Sequence, residues 1–183
     1  DLNDKVAQAI RNASMVPVSD IKLADIEPVI DIVPPIVVKD PFQVSLYDKQ
    51  NILNEYVKIL WSTPKITTSM LGYGDRRRKR IFANSEGSYI EQDNIDVSMR
   101  LSAMARDGGD VQQSGISLGS NGDFTFVEGL HSEASEIACR AVDLLGAKSV
   151  KGGQYTVVLD PVLAGGFIHE AFGHLSEADH LYE

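Results

Sequence analysis

The chain has 183 residues, 43% hydrophobic and 23% charged, enough for one substantial core or for one core with a small appendage. A formal net charge of -9 argues against a general phosphate-binding surface, because nucleic-acid affinity comes largely from clustered cations, and we expect no direct nucleic-acid contact. No apolar run approaches the about 20 residues needed to span a bilayer, so we expect no membrane insertion.

From the amino terminus, Leu2, Val6, Ala9, Ile10 and Ala13 form one helical stripe. Residues 17–41 are punctuated by proline. Pro34 and Pro35 exclude an ordinary helix and leave an extended connection or an edge strand packed on the core. Ser45 then caps a helix over 46–62, in which Leu46, Ile52, Leu53, Tyr56, Val57, Leu60 and Trp61 supply the apolar side and Pro64 marks the stop.

Four strands are expected next, over 66–73, 79–84, 88–93 and 95–106, with Ser85, Glu86 and Gly87 suited to a hairpin. Asp107, Gly108, Gly109 and Asp110 read as a turn, and 111–118 as a fifth strand or a mobile loop. Within this region Arg76, Arg77, Arg78, Lys79 and Arg80 could mark a nucleic-acid or acidic-partner patch. The favoured reading is a solvated hairpin end beside Asp75, because five cations without other basic clusters nearby attract only locally. Asp107, Asp110, Asp123 and Glu128 are scattered carboxylates in glycine-rich turns rather than a second metal site.

His131 is expected at the entry of a helix capped by Ser132. Ile137, Val142 and Leu145 give that helix its apolar side, and Cys139 is placed among them as a small core residue. A single cysteine cannot form an internal disulfide. With no signal peptide, that fits a reducing cytoplasm.

The last elements carry the chemistry. Residues 155–159 form a β-branched and apolar run suited to a buried strand, and Asp160 with Pro161 reads as an N-cap followed by proline at the first helical position. Val162, Leu163, Phe167 and Ile168 continue an apolar helix that places His169 roughly two turns in. Gly165 and Gly166 leave its backbone approachable. Then come His169, Glu170 and His174: two imidazoles and a carboxylate, the ligands and general base of a hydrolytic zinc centre. The spacing is not that of the zincins, whose histidines stand four apart on one helix face. A five-residue step turns the second imidazole about 140° from the first on an ideal helix, so the helix must be bulged, tightened or broken near Gly173. Glu177 and Asp179 are candidate partners for an imidazole N–H, and His180 is a weaker alternative ligand.

The run DPVLAGGFIHEAFGH, with the strand before it and the glycine-rich strands upstream, resembles the TldD/PmbA group of metalloproteases, also labelled modulators of DNA gyrase. The resemblance implies that His169 and His174 bind zinc, that Glu170 is the base, and that a cysteine from a following carboxy-terminal β domain completes the metal site. It also implies peptide or unfolded-polypeptide substrates and action as a homo-oligomer or as a heterodimer with a paralogous subunit. Because the group includes partners that lack the motif, the alternative is a non-catalytic binding or regulatory subunit.

Beginning at Asp1 and ending nine residues after His174, residues 1–183 are expected to be an amino-terminal α+β domain, incomplete at both ends and inactive alone. The fold expected is α+β, a largely antiparallel sheet with helices packed on one face and the motif helix near the carboxyl end.

Overall fold

The computed structural model describes residues 1–15 and 26–177, and the chain divides into two compact units, Asp1–Gly146 and Ala147–Glu183. The first unit contains α1 (Leu2–Ala13), β1 (Ile30–Val33), α2 (Leu46–Trp61), β2 (Ile66–Ala83), β3 (Tyr89–Asp107), β4 (Asp110–Asn121), α3 (Thr125–Glu128) and α4 (His131–Leu145). The fold is α+β with an open, largely antiparallel sheet, as the sequence leads one to expect.

β3 is the centre of that sheet. It pairs antiparallel with β2 along one side, and on the other with β4 over its second half and with β1, in parallel, over its start. Ile95, Val97, Met99, Leu101, Ala103 and Ala105 are buried at every second position, as the pleat requires of a strand with one face on a core. Against them lie Tyr56 and Leu60 of α2 and Ala134, Ile137, Ala138 and Ala141 of α4, joined by Phe124, Val127 and Leu130. The Tyr56 hydroxyl donates to the Val127 carbonyl and accepts from the Leu130 N–H, so burial costs it no unpaired polar atom.

The four strands expected over 66–106 are two long ones. β2 and β3 stay in register from Thr68 against Met104 to Ala83 against Tyr89, with one irregularity between Ile66 and Thr68. What breaks strand propensity in each sequence alone is matched across the pair: Arg76 bonds Asp96 at 3.2 Å, Arg77 bonds Asp93 at 2.6 Å and Lys79 meets Glu91 at 3.0 Å. The basic run therefore lies in mid-strand rather than at a hairpin end. Two turns are as expected. Gly87, at φ 99°, closes the loop between Asn84 and Ser88, and Gly108, at φ 56°, lies in the short turn between β3 and β4, which makes 110–121 a strand and not a loop.

Ser45 caps α2 by accepting from the Asp48 N–H, as expected. Other readings need correction. β1 is an edge strand, but all four of its residues are exposed, so it is not packed on the core. Part of the proline-punctuated stretch, 17–25, lies outside the described residues. His131 does begin α4, yet Ser132 is inside the helix with its hydroxyl on Glu133, and Leu130 occupies the cap position without a side-chain bond. Cys139 is exposed. The buried face of α4 runs through Ala134, Ile137, Ala138 and Ala141, and a residue one step past Ala138 is turned about 100° away from it.

Candidate metal centre

In the second unit, residues 155–159 form no strand; Val157 and Val158 are exposed, and no described strand offers their backbone a partner. The helix after them forms as read. Asp160 accepts from the N–H groups of Val162 and Leu163, Pro161 takes the first helical position, and α5 (Pro161–Ile168) follows. α5 is apolar on all sides, with Val162, Leu163, Phe167 and Ile168 exposed. A Cβ built on Gly165 or Gly166 would meet no atom within 4 Å, so both leave the backbone open to close approach.

The distortion demanded by the histidine spacing is present and has a defined form. Residues His169–Gly173 are a π-turn, and the His174 N–H donates to the His169 carbonyl five residues back. This wide turn closes over the same five residues that separate the histidines, and it brings their rings together at 4.5 Å between centroids in an edge-to-face arrangement. Neither an unusual dihedral nor a shortage of space requires glycine at position 173. Its φ is -58°, and a Cβ there would stand 3.6 Å from His169 Nδ1.

Each of His169, Glu170 and His174 offers one donor atom, and the three donor atoms lie within 4.8 Å of one another. Glu170 Oε2 is 3.9 Å from His174 Nε2. The other ring nitrogen of His174, Nδ1, is 2.6 Å from Glu177 Oε1. All four side chains are exposed. Two imidazoles and a carboxylate all offer electron pairs, and such a set suits a cation of the zinc type. Asp179 and His180 lie outside the described residues.

The acidic residues set aside on sequence grounds are accounted for in the first unit. Asp107 pairs with Lys65, Glu128 pairs with Lys39, Asp123 accepts from the Thr125 N–H, and Asp110 accepts from Gln112. His131 packs edge-to-face on Tyr56 and stands 3.5 Å from Glu55. A cluster that sequence reading missed joins Lys49, Tyr73 and Asp75. The nearly buried Lys49 ammonium bonds Asp75 at 2.6 Å, and the Tyr73 hydroxyl donates to the same oxygen at 2.7 Å. Burial alone would push the Asp75 carboxyl up, but the bonds from Lys49 and Tyr73 outweigh it and hold the group below its ordinary range. Burial, reinforced by the bond to Asp75, pushes the Tyr73 phenol up. The available signal was Lys49 itself, a lysine three and four residues before Ile52 and Leu53 on the apolar side of α2.

Among the described residues no helix is long and apolar enough to cross a membrane. Residues 39–144 match the PmbA/TldA metallopeptidase central domain, a span that ends before the motif helix. A metalloprotease of Synechocystis sp. is 41% identical over 184 residues, covering all of this chain and 40% of that protein, motif helix included. One from Methanocaldococcus jannaschii is 36% identical over 160 residues, 87% of this chain and 35% of that protein. The zinc metalloprotease TldD homolog of Saccharolobus solfataricus is 30% identical over 117 residues, covering 63% and 26%. A solved structure from Thermotoga maritima, described as a candidate modulator of a DNA gyrase, shares the fold at a TM-score of 0.54 and 18% identity, covering 64% of this chain and 27% of that one. The chain thus spans about two fifths or less of the length of these relatives. From the extent of the central-domain match and the identity to these metalloproteases, the chain belongs to the PmbA/TldD metallopeptidase family.

Proposed function

We propose that this chain supplies the metal ligands and the general base of a zinc-dependent peptidase that, in the full-length protein, hydrolyses peptides or unfolded polypeptides. The observation that carries the proposal is the π-turn, which gathers His169, Glu170 and His174 so that their donor atoms lie within 4.8 Å. A wide turn in a helix costs backbone regularity, and such turns recur at functional sites. The family relationship supports a metal ion, and the nitrogen-rich donor set supports zinc.

His169 and His174 would each hold the ion through one imidazole nitrogen. Zinc, when bound, supplies Lewis acidity toward a scissile carbonyl and toward water. Glu170 accepts the proton of the attacking water and returns it to the departing amine nitrogen, so the carboxylate ends the cycle as it began. Its 3.9 Å distance from the His174 ring leaves it outside a direct hydrogen bond and free for that exchange.

A third protein ligand comes, on this reading, from a cysteine in a following β domain. The exposure of Phe167, Ile168 and Phe172 around the motif fits a helix that further protein covers, since a helix apolar on all sides is normally a buried one. Residues 1–183 alone would then hold zinc weakly and cleave little. The test is metal analysis of the full-length protein after dialysis. One zinc per chain is expected, lost in His169→Ala and in His174→Ala. Full zinc content in both variants would overturn the assignment.

A further inference from the structure

Resting on the metal reading above, we infer that Glu177 is the positioning residue of this centre: it accepts the Nδ1 proton of His174 and thereby presents Nε2 as that histidine's ligand atom. The helix changes period twice within a few residues. It runs as an α-helix to Ile168, widens into the π-turn His169–Gly173, and tightens into a 3-10 turn, His174–Ser176, closed by the Glu177 N–H on the His174 carbonyl at 3.2 Å.

Each change aligns one pair. The five-residue turn brings His174 to His169. The three-residue turn eclipses side chains three apart, and so sets Glu177 over His174; a continuing α-helix would leave them about 60° out of line. Ser176 fastens the junction by donating its hydroxyl to the Phe172 carbonyl at 2.8 Å.

The resulting contact, Nδ1 to Oε1 at 2.6 Å, is at the short end for a charge-assisted bond. A carboxylate can only accept, so Nδ1 carries the proton and Nε2 keeps its lone pair. Nε2 is also the atom nearer Glu170. The two glutamates thus divide the work. Glu177 is bound to a ligand side chain, while Glu170 is free of it. Glu177 acts through its bond to His174.

The experiment uses the intact protein, its Glu177→Ala and Glu177→Gln variants, and zinc competition against a chromophoric chelator. Nitrogen-15 histidine spectra of the zinc-free protein are recorded in parallel, with His174 assigned from His174→Ala. Glu177→Ala is expected to weaken zinc affinity about 10–100-fold with an unchanged unfolding midpoint. Glu177→Gln, whose amide oxygen can still accept, is expected to recover part of the loss. The spectra should show His174 as the Nδ1–H tautomer in the parent and without that preference in Glu177→Ala. Unchanged affinity in Glu177→Ala, or an unprotonated Nδ1 in the zinc-free parent, overturns the assignment. A parent that binds no zinc removes the metal reading instead, and the tautomer still decides the role of Glu177.

Discussion

Residues 76–80 and residues 169–177 are both dense in titratable groups, yet they are built on opposite principles. In β2, the cations Arg76, Arg77 and Lys79 each face a carboxylate of β3, so charge is answered by charge within the sheet. Those contacts hold Asp93 and Glu91 below the ordinary carboxylate range, Asp93 mainly through Arg77 and Glu91 through Tyr89 and Lys79. In the motif helix, His169, Glu170 and His174 converge as three electron-pair donors with no cation among them. Complementary groups neutralise one another within the fold, whereas three converging electron-pair donors form a set that could hold a cation.

That comparison can be tested in descending order of effect. Leu101→Ala, which empties a fully buried place at the centre of the sheet, should cost about 2–5 kcal/mol in denaturant unfolding. Lys49→Met should cost on the order of 3 kcal/mol, because it strands the Asp75 carboxylate in a poorly solvated place. Acid should expose the same group. Its folded pKa is lowered from 3.8, so its contribution is present above pH 3.8 and is lost as the pH falls through the lower folded value. Asp75→Asn should remove that part of the acid limb in a stability profile. Arg77→Ala, at an exposed pair, should leave the unfolding midpoint within error, and a large drop there would mean that the cross-strand pairs hold the sheet together rather than merely tolerate one another.

Much of the molecule was legible from local chemistry. The cap of α2, the glycine turns, and above all the need for a distorted helix between His169 and His174 followed from side-chain type and spacing. What escaped depended on distant partners. The charged stretches of β2 and β3 look like breaks one at a time and become continuous strand only when set in register. Cys139 was misplaced because apolar neighbours in sequence do not share a helix face. The run 155–159 has strand composition, but composition cannot supply the second strand that its backbone requires.

The most direct measurement is zinc content and peptide cleavage by the full-length protein before and after Glu170→Gln. The account predicts that zinc is retained while cleavage falls about 100- to 10,000-fold, the usual contribution of a positioned general base. Unchanged cleavage in a zinc-loaded Glu170→Gln protein would contradict it.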